Sequence, residues 1–328
     1  MTSMDNNNSI TAVPGVRVGH VTLYEKLDDH DTICTGVTAI LPHGGNLYRE
    51  KVPAGCHVFN GFGKSAGFIQ LEELGVLESP IMLTNTFSVA PVLQGTLQYM
   101  LEQDEGIGDT TSTINIVVTE CNDGYLNSIR IPAVKPEHAI QAIKNATTDP
   151  VEQGAVGAGK GMICFGYKGG IGSASRVVTV DHLRYTVGCL VLSNFGKKEE
   201  AIFANFKDDT PIDTPDGSII IILATDAPLY DRQLKRMARR SGLGLGRVGS
   251  TMASGSGDIA IAFSTANRIP YDTTSPVENI TFLRDDHPMM NKLFQAAVET
   301  TEEAIIHSMK YAETTVGRKG RIVEKAPM

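Results

Sequence analysis

The sequence predicts a sheet core covered by helices, either an α/β fold or a layered α+β arrangement. Short apolar runs rich in Val and Ile recur along the whole chain, and segments of helical periodicity lie before, between and after them. The 33 glycines fall in clusters between the apolar runs, as turns do, instead of gathering in one linker. A chain of 328 residues with 41% hydrophobic and 20% charged residues is long enough for one large or two ordinary domains around a sizeable core. It contains no internal repeat and no low-complexity tract.

In chain order, strands are expected at 36–41, 57–59, 81–84, 114–119, 162–165, 177–180, 185–192, 219–224 and 259–263. Helices are expected at 68–77, 89–102, 136–146, 232–240 and 289–311. Pro136 suits a first helical turn, where its missing N–H leaves no bond unmade. The last helix is the clearest: Leu293, Phe294, Ala297, Val298, Ala304, Ile305 and Met309 form one apolar stripe on an otherwise polar segment.

The formal net charge of -8 argues against nucleic acid and anionic membranes as partners, because both attract clustered Lys and Arg. A small molecule or peptide is expected instead. Five isolated cysteines (Cys34, Cys56, Cys121, Cys164, Cys189), odd in number and without a Cys-x-x-Cys pair, indicate neither a disulfide framework nor a zinc ligand set. The eight histidines show no metal-ligand spacing. The first nine residues lack a basic and an apolar region, and no window approaches the roughly 20 apolar residues of a membrane span, so a cytoplasmic chain with a polar leader is expected.

Two glycine motifs fail their context tests. Gly154-Ala-Val-Gly-Ala-Gly-Lys160 spells seven positions of a phosphate-binding loop, but Gly161 stands where a Ser or Thr hydroxyl must reach Mg²⁺, and a strand follows where a helix is required. Gly244-Leu-Gly-Arg-Val-Gly249 spells a dinucleotide fingerprint but follows a basic helix instead of a strand. A non-catalytic ligand-binding or nucleotide-binding protein using these loops is the second functional reading.

The first reading centres on residues 242–258, expected to be a glycine-rich loop with Gly249-Ser250 at its middle. Attack of Ser250 Oγ on the Gly249 carbonyl needs an approachable peptide of unusual φ/ψ, which glycine supplies. The product is an ester by N-to-O acyl shift. Its hydrolysis leaves Ser250 as a new N-terminus, whose α-amine, with a reference pKa near 7.7–8.0, is a general base for its own hydroxyl. From these residues alone a plain Gly-Ser turn is equally open.

Ordered blocks then cover nearly the whole chain: Val13-Pro-Gly-Val-Arg-Val-Gly-His20, Phe59-Asn-Gly61, Ser79-Pro-Ile-Met-Leu-Thr-Asn-Thr86, Glu120 to Asn127, Gly157 to Arg176, Ser193-Asn-Phe-Gly196, Ala224-Thr-Asp-Ala-Pro-Leu229, Leu243 to Ser250 and Thr301-Glu-Glu-Ala-Ile305. In these the chain resembles the self-processing aminopeptidases of peptidase family S58, which include L-aminopeptidase/D-amino-acid esterase-amidase and the β-peptidyl aminopeptidases. The resemblance implies one catalytic domain over 1–328 with an αββα sandwich similar to that of the Ntn hydrolases. It also implies cleavage into 1–249 and 250–328, a homotetramer of αβ units, no cofactor and no metal. The implied substrates are short peptides, amides or esters with a free N-terminus.

By the same resemblance, Ser250 matches the nucleophile and Asn194 the oxyanion-hole amide, although Asn before Phe-Gly also suits a strand-closing turn. Glu120 matches the acid that grips the substrate's amino group. Asn122, Asp123, Tyr125 and Asn127 are expected in the turn after it, with Asn122, Tyr125 and Asn60 assigned to substrate binding. The family's Ser-x-Glu pair before the last helix aligns with Arg284 and Asp286, so its Ser is missing and Asp286 stands as the candidate acid. Phe62, Lys64 and Phe87 depart from the family pattern near the pocket, which points to a different specificity.

Overall fold

A computed structural model describes residues 7–204 and 217–328. Its nine strands of five or more residues are β1 (Arg17–Lys26), β2 (Thr32–Leu41), β3 (Glu50–Gly61), β4 (Ile81–Asn85), β5 (Val117–Cys121), β6 (Gly170–Val180), β7 (Leu183–Asn194), β8 (Ser218–Thr225) and β9 (Gly257–Ser264). Five α-helices accompany them: α1 (Phe68–Leu74), α2 (Val89–Gln103), α3 (Pro136–Lys144), α4 (Asp231–Arg247) and α5 (Pro288–Lys310). One sheet has the order β1-β2-β4-β5, and the other runs β3-β9-β8-β7-β6. Pairing is antiparallel except for β4 with β5 and β8 with β9.

The sheets stack face to face with helices outside, α2 and α3 on the first and α4 and α5 on the second. This four-layer αββα sandwich resolves the choice left open by periodicity. Alternation along the strands explains it: Leu190, Leu192, Ile220, Ile222, Ile259 and Ile261 meet Ile40, Ile81, Leu83 and Val117 between the sheets. Their neighbours Cys189, Val191, Ile219, Ile221, Ala260 and Ala262 face α4 and α5. A sheet buried on both faces reads as a continuous apolar run, which is why 219–224 is so uniformly apolar. Among the described residues, no helix is long and apolar enough to cross a membrane.

Four expectations need correction. Residues 242–247 are not loop but the last turns of α4. Gly244 is there because α5 crosses so closely that a Cβ would stand 2.5 Å from the Val298 carbonyl oxygen, and Gly242 abuts the Phe59 ring. The strand expected at 114–119 begins only at Val117, because the Asn115 N–H donates to Glu78 Oε1 (2.7 Å) instead of to a neighbouring strand. Glu120 is therefore inside β5. Helix α1 stops at Leu74, where Gly75 takes φ +66° and returns its N–H to the Leu71 carbonyl. Strand β1 was not expected at all: it is an edge strand with mostly exposed polar residues, so its apolar alternation is faint.

The helix packing makes a paired prediction. Gly244→Ala is expected to lower stability by about 1–3 kcal/mol through collision with the α5 backbone. Gly246→Ala, where a Cβ meets nothing within 4 Å, is expected to raise it by about 0.5–1 kcal/mol through helix propensity. Urea unfolding of the two variants checks the opposite signs.

Candidate active site

The ends of the second sheet line up side by side. Asn194, the last residue of β7, pairs with Ser218 at the start of β8. Asp258 of β9 lies opposite Ile219 on one side and Asn60 of β3 on the other. Above this row opens a cavity of about 460 Å³ whose lining includes Asn122, Tyr125, Asn194, Ser250, Met252 and Ser256. Ser250, Asn194, Asn122 and Tyr125, predicted from three separate stretches, thus share one space.

Ser250 lies just past the C-terminus of α4. Its N–H donates to the Leu245 carbonyl (3.2 Å) and its Oγ accepts from the Met252 N–H (3.2 Å). Gly249 behind it has φ +110°, and a Cβ there would collide with the Glu200 carbonyl oxygen, so both the backbone angle and the neighbour demand glycine. Met252 takes φ +55°, turning the chain sharply after the serine.

Asn194 is held at both ends of its carboxamide. Oδ1 accepts from the Ile163 N–H (2.9 Å), and Nδ2 donates to the Asn122 carbonyl (3.0 Å). The second Nδ2 hydrogen is left for whatever occupies the cavity. Asp123, completely buried beyond it, accepts from Asn127 Nδ2 (2.9 Å), and desolvation pushes its carboxyl up to about 7. Asp123 and Asn127 line no part of the cavity.

Glu120, Asn60 and Asp286 are placed differently from expectation. Glu120 is buried, and its carboxylate accepts from the Lys64 N–H (2.9 Å) and from the Thr86 hydroxyl. It therefore pins residues 61–65 and stands behind the cavity lining. Each oxygen keeps a lone pair for a further donor. Asn60 Nδ2 donates to the carbonyls of Ala253 (3.0 Å), Ser254 (3.1 Å) and Ser256, so it braces the loop after Ser250 and is not a lining residue. Asp286 is on the surface, paired with Arg284 (2.7 Å) and 70% exposed in its side chain. Nor does it cap α5: His287 does, accepting the Met289 N–H.

A buried acid just behind the lining, Asp258, is linked to the cavity through Ser256 and was not among the residues expected from the sequence. Ser256 lines the cavity and donates its hydroxyl to Asp258 Oδ1 (2.6 Å). Asp258 is 1% exposed, and its Oδ2 has no hydrogen-bond partner among the described residues. Burial raises its carboxyl to about 6. Ser256-Gly-Asp258 is itself a Ser-x-acid pair at a strand start, six residues after Ser250; that spacing was the available signal.

The phosphate-loop look-alike is structural. Gly157 N–H donates to Thr22 Oγ1 (2.7 Å) and Ala158 N–H to Thr38 Oγ1 (3.1 Å), so these amides do not face a ligand. Buried Lys168 ties the segment down through the carbonyls of Gly159 (3.0 Å), Met162 (2.7 Å) and Gly169 (2.8 Å), and desolvation brings its amine down to about 7.

Comparison with known proteins shows the family and the fold type. The profile of peptidase family S58 matches residues 8–323. A β-peptidyl aminopeptidase of Sphingosinicella microcystinivorans is 39% identical over 346 residues, covering 98% of this chain and 86% of that protein. A Pyrococcus horikoshii protein of solved structure is 50% identical with a TM-score of 0.91, covering 98% of this chain and 92% of that one. The L-aminopeptidase D-Ala-esterase/amidase of Ochrobactrum anthropi, described as a variant of the Ntn-hydrolase fold, is 35% identical with a TM-score of 0.91, covering 99% and 93%. The αββα sandwich is accordingly of that Ntn-hydrolase type.

The buried acid carries a signed pH prediction. Asp258 titrates near 6 in the fold and near 3.8 when unfolded, so between these values the folded chain holds the extra proton and loses stability as pH rises. The loss amounts to about 2–3 kcal/mol by pH 7. In Asp258→Asn the slope of unfolding free energy between pH 4 and 6 is expected to flatten, as measured by urea titrations across that range.

Proposed function

The chain belongs to peptidase family S58 and is a hydrolase of the aminopeptidase type, and from that premise we propose that Ser250 is its nucleophile, released when the chain cuts itself between Gly249 and Ser250. The observation that carries this reading is the meeting of Ser250 and Asn194 in one cavity, with Gly249 at φ +110° directly behind. In the precursor, Ser250 Oγ adds to the Gly249 carbonyl and expels its own nitrogen, and water then hydrolyses the ester. The products are residues 1–249 and 250–328 of one catalytic domain.

In the cleaved enzyme, Ser250 Oγ attacks the carbonyl of the substrate's first residue. The Ser250 α-amine takes the hydroxyl proton and returns it to the leaving amine. The unused Asn194 N–H faces the developing oxyanion, a contact worth roughly 3–4 kcal/mol in comparable sites. Glu120 receives the substrate ammonium through its remaining lone pairs. Ser256 and Asp258 take the supporting role that the sequence alignment gave to Asp286, since Ser256 borders the cavity and is oriented by a buried carboxylate.

The substrates of this reading are short peptides, amides or esters with a small unblocked N-terminal L-, D- or β-amino acid. The aminopeptidase, esterase and amidase activities for which the Sphingosinicella and Ochrobactrum relatives are named point the same way. A homotetramer of αβ units belongs to the same proposal.

A denaturing gel tests the cleavage: fragments of 249 and 79 residues (328 − 249) are expected, the smaller beginning Ser-Thr-Met, and a single band unchanged on long incubation overturns it. Ser250→Ala is expected to remain one inactive chain. Ser256→Ala is expected to slow turnover by about 10²-fold or more, whereas Asp286→Asn stays within about twofold of the parent on its exposed surface; steady-state kinetics of the two variants separate the roles.

A further inference from the structure

The cavity around Ser250 is lined by charges that the proposed chemistry does not use. Lys197 follows Asn194 by three residues, Arg321 arrives from the C-terminal segment, and Glu200 is the one acid among the described lining residues. Neither Lys197 nor Arg321 forms an ion pair among the described residues. The described lining residues are therefore net positive in a chain whose formal charge is -8.

Arg321 is also fixed in place. Its Nη1 donates to the Tyr125 carbonyl (2.9 Å), and its guanidinium lies 4.4 Å from the centre of the Tyr125 ring. One N–H is occupied and four remain, on a planar group already immobilised by stacking. Such a group is preorganised for a carboxylate, which it meets through paired hydrogen bonds. Among the described residues Glu200 forms no ion pair with the Lys197 amine; its Oε2 accepts from the Lys197 backbone N–H (2.8 Å).

We infer that Arg321, assisted by Lys197, binds a carboxylate on the part of the substrate released by cleavage, so that the preferred substrates are dipeptides with a free C-terminus or peptides with an acidic residue after the scissile bond. The inference rests on the assignment of Ser250 as nucleophile and of Glu120 to the substrate amine. With an acid at the amine end and cations at the leaving end, a zwitterionic dipeptide is matched at both termini.

The test compares kcat/KM of the cleaved enzyme on Ala-Ala, Ala-Ala-amide and Ala-Asp-amide. Ala-Ala is expected to exceed its amide by about tenfold or more, the worth of one charge-assisted hydrogen bond pair. A gain for Ala-Asp-amide over Ala-Ala-amide identifies an acidic side chain as the source, and a gain confined to Ala-Ala identifies the C-terminus. Arg321→Gln is expected to bring the ratio of acid to amide close to one, and Arg321→Lys to restore part of it. If Arg321 variants fail to accumulate, Lys197→Gln provides the same ratio and is expected to reduce it severalfold.

Equal rates on all three substrates, or a ratio unchanged in both Arg321→Gln and Lys197→Gln, overturns the carboxylate clamp and leaves the Ser250 assignment standing. Hydrolysis of none of them by the cleaved protein overturns the proposed function and the clamp together.

Discussion

The site depends on one carboxamide. Asn194 ends β7 in the second sheet, yet it donates to the carbonyl of Asn122, which follows β5 of the first, and accepts from Ile163 on a third segment. A short polar side chain thereby ties the two sheets together at the rim where the cavity opens. Asn194 is 7% exposed, and at a group so largely buried an unmade hydrogen bond costs more than it does at the surface.

Around it the fold keeps three ionisable groups under cover. Asp123 and Asp258 are pushed upward by burial and Lys168 downward, all because charge is poorly solvated between packed layers. Lys168 is compensated by three carbonyls, and the turn it organises includes Met162, next to the amide that holds Asn194. Asp258 is only half compensated, with one oxygen bonded to Ser256 and the other without a partner. A buried carboxylate left in that condition costs stability, and such costs concentrate at sites where chemistry needs them.

Rigidity at the same place comes from backbone geometry. Gly249 and Met252 bracket Ser250 with two left-handed residues, while Asn60 gathers three carbonyls of the loop that follows. The helix before the serine packs on α5 through a glycine, so Ser250 is delivered from a fixed helix end and not from a mobile glycine-rich loop. The glycines that look alike in sequence therefore do different work: Gly244 admits a neighbouring helix, and Gly249 admits a carbonyl and an uncommon φ.

By itself the sequence determined the helices and most strands, because a 3.6-residue or two-residue apolar period is a local property that burial must respect. Helix α5 and strand β8 were legible for that reason, and edge strand β1 was not, since exposed strands carry little apolar signal. Ordered motif blocks singled out Ser250 and Asn194, and the fold brings both to one cavity. What only the tertiary structure decided is which groups converge. Glu120 braces residues 61–65 with lone pairs to spare, Asp286 sits on the surface, and Ser256, bonded to buried Asp258, lines the cavity. Those outcomes follow from strand register and from layers closing over one another, long-range relations that carry no local period in the chain.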